Sequence, residues 1–245
     1  MKFQLNSPEG KAILAKARRG DFAHPGEIDA IQLVVAGVEK LDIRRVLDVG
    51  CGRGGTAAWF KANNWGQIFG LDIDQVSIDY ARATYPGIEF LTLDVERLRE
   101  WNTEPFDLVY LLNSFYAFPD QRLALKSIRS VCRSGATLCL FDYARCQSST
   151  VPTALGPEIG NPIVLEDLHG WLKEAGWIIT DYEDCTDKYV TWYADLLGAF
   201  EREQNWIEET YGEDWLCYFL NWYGTLRDAL ASRILRGVIF RAIAV

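Results

Sequence analysis

Between residues 44 and about 143, short apolar runs alternate with stretches whose apolar positions return at helical intervals. "RRVLDVG" carries no polar alternation, as expected of a parallel strand covered on both faces. "GGTAAWFKANN" then reads as a helix, "QIFGLDID" as a strand, "QVSIDYARATYPG" as a helix and "IEFLTLDV" as a strand. After a short charged segment come the strand "FDLVYLLNS", the helix "DQRLALKSIRSVCRSG" and the strand "ATLCLFDYA". Alternation at this pace implies right-handed crossovers, hence an α/β fold with a doubly wound parallel sheet and helices on both faces.

Beyond residue 145 the pattern changes. Residues 146–164 are rich in Ser, Pro and Gly and read as a loop. "LEDLHGWLKEAG" predicts a helix and "WIITDYED" a sixth strand. Residues 187–236 show helical periodicity twice. Tyr193, Leu196, Leu197, Phe200, Ile207 and Tyr211 share one face, and after Gly212 so do Trp215, Phe219, Trp222, Leu226, Leu230 and Ile234. "GVIFRAIAV" predicts a final strand. The expected organisation is one domain of 245 residues: cover helices over 1–40, a core over 44–184 and 237–245, and a two-helix lid over 187–236.

Four glycines at positions 50, 52, 54 and 55 follow the first strand directly. In an open parallel sheet this is the carboxyl end, where ligands bind. Glycine there tolerates positive φ and lets a ligand meet bare backbone. The helix behind it offers unpaired N–H groups. Gly50, Gly52 and Gly55 also fit GxGxxG, with Asp72 twenty residues beyond Gly52, so the turn alone leaves a nicotinamide dinucleotide open. Asp48 argues against it, because an acid before the turn opposes a pyrophosphate and suits a ligand with a positive end. No tyrosine is followed four residues later by lysine, and a second acid, Asp94, ends the third strand.

Taken in order, "VLDVGCGRGG", "GLDID", "LTLDV" and "FDLVYLLNSFYAF" resemble the successive motifs of class I S-adenosylmethionine (SAM)-dependent methyltransferases, over about residues 24 to 182. The resemblance implies a Rossmann-like, seven-stranded, mostly parallel sheet whose last strand is antiparallel. It implies SAM as cofactor, with Asp48, Gly50, Gly52 and Gly54 along the methionine portion and Asp72 on the ribose hydroxyls. Ile73 would pack on adenine, Asp94 and the Val95 amide would read its edge, and Leu112 and Asn113 would hold the methionine end. Two departures stand out: Ala117 occupies a position where many relatives carry histidine, and "RSGA" replaces a Pro-Gly-Gly turn.

Methyl transfer needs an aligned acceptor lone pair, and a hydroxyl acceptor gains from a general base. The two histidines are His169, expected on a helix surface, and His24, expected in the N-terminal cover. The catalytic candidates are His24 and Tyr116, and the acceptor site is expected among Phe22, His24, Phe115, Tyr116 and the inserted helices. No His/Asp/Glu set has metal spacing, so no metal is expected.

Composition narrows the partners. A formal charge of −9 disfavours nucleic acid. No apolar run is of membrane-spanning length, the first residues lack an apolar core of signal type, and six scattered cysteines suit a reducing compartment. The expected protein is a cytoplasmic methyltransferase acting on a small-molecule N or O acceptor. A protein or quinone-precursor methyltransferase, a SAM-binding module without transfer activity, and a nicotinamide oxidoreductase remain as alternatives; the acceptor and the oligomeric state stay open.

Overall fold

A computed structural model describes residues 3–245. Strands β1 (Arg45–Val49), β2 (Gln67–Asp72), β3 (Glu89–Thr92), β4 (Phe106–Leu112), β5 (Cys132–Arg145), β6 (Ile163–Val164), β7 (Trp177–Asp184) and β8 (Arg236–Ala244) form one sheet. Its order is β3-β2-β1-β4-β5-β8-β7, with β6 paired to β5. β8 runs antiparallel between β5 and β7, and the other pairings are parallel. The chain leaves β1 toward β2 and β3, then returns to lay β4 on the opposite side of β1. That reversal opens a crevice beyond the carboxyl ends of β1 and β4.

The helices are α1 (Pro8–Arg18), α2 (Glu27–Val34), α3 (Gly55–Ala62), α4 (Gln75–Thr84), α5 (Gln121–Ser130), α6 (Leu165–Glu174), α7 (Thr186–Arg202), α8 (Gln204–Tyr211) and α9 (Glu213–Ala231). On β4, Leu108, Tyr110 and Leu112 join the core under α1 to α4 and α7 to α9, while Val109 and Leu111 join the core under α5 and α6. Both faces of the strand are therefore apolar, which is why it reads as a continuous run.

The insertion between β7 and β8 holds three helices, where periodicity predicts two. α7 and α8 meet at Glu203, with φ −95° and ψ 10°. The Glu203 N–H still donates to Ala199 and its carbonyl still accepts from Ile207. Because helical bonding carries across the bend, and no glycine or proline marks it, one period spans both helices. Two further differences concern β5 and β6. β5 starts at Cys132, inside the stretch read as the end of a helix, and the stretch read as loop holds a 3₁₀ segment at Thr153–Ile159 and the two-residue β6.

The N-terminal segment crosses the open edge of the crevice. Ser7 caps α1 by accepting from the Gly10 N–H at 3.1 Å. Lys11 then bonds Asp74 at 2.5 Å and Ser77 at 2.7 Å, tying α1 to the start of α4. The Leu5 N–H donates to Glu158 at 2.8 Å, so the same segment is held at its other end. Residues 1 and 2 of the expected cover lie outside the described residues.

Candidate active site

The turn after β1 is built from two glycines that do different work. Gly50 has φ +78°, and a Cβ there would sit 2.4 Å from the Ser114 Cβ, so this position closes the turn against β4. Gly52 has φ +51° and nothing within 4 Å of a would-be Cβ: it faces open space. Asp72, at the end of β2, locks the turn. Its Oδ2 accepts from the Gly52 N–H at 2.8 Å and its Oδ1 from the Asp74 N–H at 2.9 Å. Each oxygen keeps a second lone pair for another donor.

A cavity of about 530 Å³ opens over this turn, within the usual range for small-molecule sites. Gly50, Gly52, Asp72, Ile73, Asp94, Val95, Asn113 and Tyr116 line it. Ile73 and Val76 are 72% and 61% exposed, a ledge of apolar surface beside Asp94. Asn113 has φ +51°, its Oδ1 accepts from the Tyr189 hydroxyl at 3.0 Å, and its Nδ2 is buried without a partner.

Three residues expected on the cofactor do not line the cavity. Leu112 is buried in the core. A Cβ on Gly54 would meet the Phe90 ring at 2.7 Å, so this glycine serves helix-to-strand packing. Asp48 is 3% exposed and lies under the turn, because alternation along β1 turns it toward the α3 side with Val46. Burial, reinforced by Asp72, pushes its carboxyl up to about 8.

His24 is a correction as well. It is 1% exposed and absent from the cavity wall. The Pro25 carbonyl 3.2 Å from Nδ1 can only accept, so Nδ1 carries the proton and Nε2 accepts from the Thr56 hydroxyl at 3.0 Å. Burial pushes its pKa down to about 3. With both nitrogens committed, this imidazole anchors the cover to α3 and does not serve as a base. His169 is exposed on α6, as expected.

Several residues the sequence did not single out complete the site. Asp21 and Arg53 line the cavity and pair at 3.3 Å; Asp21 also accepts from the hydroxyls of Tyr80 (3.1 Å) and Tyr85 (2.7 Å). An arginine inside a glycine turn was the available signal for Arg53. Asp142, fully buried in β5, accepts from the N–H groups of Phe115 at 2.8 Å and Tyr116 at 3.2 Å. It thereby sets the 3₁₀ turn that aims Tyr116, and burial pushes it up to about 7. An acid in the middle of "LCLFDYA" was its signal.

The inserted helices contribute Tyr193, Trp222 and Tyr223 to the far wall, and β5 contributes Tyr143. Other aromatics of the inserted helices sit elsewhere. Trp215 is core, Trp206 packs beneath Lys16, and Trp192 lies against Gly26. Burial raises the phenols of Tyr116, Tyr143 and Tyr193, and takes Tyr223 to about 12. Among the described residues no group of three or more His, Cys, Asp or Glu could hold a metal ion. No described helix is long and apolar enough to cross a membrane.

A family model described as a methyltransferase domain matches residues 47–140, the stretch carrying β1 to β5 and the glycine turn. Among curated relatives, an O-methyltransferase of Penicillium expansum is 30% identical over 57% of this chain and 54% of its own. Phosphoethanolamine N-methyltransferase 3 of Arabidopsis thaliana is 25% identical over 73% of this chain and 38% of its own. The chain thus spans about half or less of these relatives' length. Among solved structures, Haemonchus contortus phosphoethanolamine N-methyltransferase 2 superposes with a TM-score of 0.84 at 17% identity, covering 96% of this chain and 57% of that one. The cyclopropane synthase MmaA2 of Mycobacterium tuberculosis does so at 0.81 and 14%, covering 97% and 94%. The match places a methyltransferase domain over residues 47–140, on a Rossmann-like fold that the chain shares with solved SAM-dependent methyltransferases, and the cofactor of that family is SAM.

Proposed function

We propose that this chain binds SAM in the cavity over the glycine turn and transfers its methyl group to a small-molecule acceptor. The observation that carries this is Asp72: its carboxylate fixes the bare Gly52 turn and still offers a lone pair on each oxygen toward the cavity. The two ribose hydroxyls of SAM suit those lone pairs, the exposed Ile73 and Val76 suit an adenine face, and Asp94 with the Val95 amide suits its amino edge. The unpartnered Asn113 amide suits the methionine carboxylate. Asp48 acts from beneath the turn, where a ligand's ammonium group would draw its proton away.

When bound, SAM supplies a methyl group on a positively charged sulfur, an electrophile that needs no further activation. The chain's part is to orient the acceptor and exclude water. Tyr116, held by Asp142 through two backbone N–H groups, lines the cavity and packs against Tyr143 of the aromatic wall. The tyrosines at this end have raised pKa values and so act as hydrogen-bond donors. That environment favours an amine acceptor, which attacks as its neutral form without a protein base. Oxygen acceptors are the chemistry named for the Penicillium relative, nitrogen acceptors for the Arabidopsis one.

Calorimetry with SAM, S-adenosylhomocysteine and NAD tests the cofactor, followed by a metabolite screen with labelled methyl groups. Binding of both sulfur ligands and not NAD is expected; binding of NAD alone overturns the reading.

A further inference from the structure

Five aromatic side chains that line the cavity adjoin one another in an unbroken series. The rings of Tyr116 and Tyr143 lie 5.3 Å apart at 66°. The Tyr143 and Tyr193 hydroxyls share a hydrogen bond. Tyr193 and Tyr223 follow at 5.6 Å and 32°, then Tyr223 and Trp222 at 4.9 Å and 79°. The ring planes change direction at each step, so the wall is no flat stack. Rings inclined in this way suit a compact rounded group, such as an alkylated ammonium, better than a flat ligand that needs parallel faces.

The charges around this wall favour a cation. Burial keeps the four phenols protonated, so the rings themselves are neutral. The Trp222 N–H is taken by the Leu155 carbonyl at 3.0 Å. Glu158 stands behind the wall, close enough to act on Tyr116 and Tyr223, and is held there by the Leu5 N–H and the Tyr218 hydroxyl. Arg18 lies behind Tyr193 and Tyr223, but its ion pair with Glu27 offsets its charge. Among the described residues two cations line the cavity, Lys11 and Arg53. Lys11 is committed to Asp74 and Ser77. Arg53 pairs with Asp21 at 3.3 Å and stacks on the Tyr80 ring at 3.6 Å.

We infer that the rings of Tyr116, Tyr143, Tyr193, Tyr223 and Trp222 form a cation subsite, and that the methyl acceptor is a tertiary alkylamine without a phosphate group. Such an amine forms the new N–C bond with its own lone pair. The C–S electron pair stays on sulfur, and the positive charge passes from sulfur to nitrogen. No proton has to leave, which suits a wall whose phenols are held protonated. The ammonium so formed lies where the ring quadrupoles and Glu158 attract it. That the amine is the acceptor rests on the proposed methyl transfer; the cation subsite does not.

The test is calorimetry on the full chain with S-adenosylhomocysteine present and three probes: choline, 3,3-dimethylbutan-1-ol and phosphocholine. The second has the shape of the first with carbon in place of the charged nitrogen; the third adds a phosphate. Choline should bind, its neutral counterpart about tenfold more weakly or worse, and phosphocholine no more tightly than choline. This comparison needs no substitution, so it stands whether or not a variant folds. Tyr116→Leu should weaken choline on the order of tenfold and Tyr116→Phe by less than about threefold, with S-adenosylhomocysteine within about twofold in both. No choline binding, equal binding of the neutral counterpart, or indifference to Tyr116→Leu overturns the cation subsite. Phosphocholine binding more tightly than choline overturns the unphosphorylated acceptor. Choline bound through Tyr116 by a chain that ignores S-adenosylhomocysteine overturns the methyltransferase reading and leaves the cation subsite standing.

Discussion

The Tyr189 hydroxyl, on α7, donates to Asn113 Oδ1 at 3.0 Å, joining the inserted helices to the end of β4. The bond fixes which way the Asn113 amide points and leaves its Nδ2 free beside the cavity. Tyr189→Phe keeps the buried ring and removes only the donor. SAM affinity should fall about three- to tenfold, the worth of roughly one hydrogen bond. Calorimetry showing no change would mean the amide is oriented by something else.

Asp72→Ala should abolish measurable SAM binding while the fold survives. The substitution removes the anchors of the Gly52 and Asp74 N–H groups as well as the proposed ribose contacts. Lost charge-assisted bonds of this kind cost on the order of 2–4 kcal/mol. Unchanged affinity would move the ribose site elsewhere.

Gly52→Val should fold with a modest loss of stability and bind no SAM. The position has open space around it, so no protein atom clashes. The φ of +51° strains a branched residue, and the new side chain projects where the ligand must lie. Titration of a folded variant with normal affinity would contradict the assigned turn.

Three buried groups give the ligand-free chain a predictable stability profile with pH. His24, held near 3 against 6.5 when unfolded, contributes stability that is present above about pH 6.5 and lost as pH falls toward 3. Asp142 (about 7) and Asp48 (about 8) do the reverse. Their contribution is full below pH 3.8 and lost as pH rises through those values. Asp48→Asn should therefore flatten the decline in melting temperature between about pH 5 and pH 8. His24→Gln should flatten the acid limb below about 6.5. Melting curves that keep the wild-type slopes would place the titrations on other groups.

Tyr116→Ala should leave SAM affinity almost unchanged and lower acceptor turnover at least about tenfold, as misplacement of a positioned acceptor does. Tyr116 packs edge-on against Tyr143 at 5.3 Å, so Tyr116→Phe should retain more activity than Tyr116→Ala. Equal losses of cofactor binding and turnover, or no loss, would remove Tyr116 from the acceptor end.

The sequence by itself determined the strand-helix alternation, the sheet class and the glycine turn over which the cavity opens. These rest on local causes: parallel strands buried on both faces are unbroken apolar runs, and a ligand-bearing turn needs glycine at Gly50 and Gly52. Asp72, Ile73 and Asp94 could be placed because each lies where its strand ends. The aromatic wall of the cavity was decided by tertiary structure. It draws Tyr116, Tyr143, Tyr193, Trp222 and Tyr223 from β5, the turn after β4 and the inserted helices, and helical spacing cannot tell which ring faces a cavity and which faces the core. The bend at Glu203 carried no breaker residue, so three helices read as two. His24 looked like a base and proved to be a buried anchor, because only packing brings Pro25 and Thr56 to its two nitrogens.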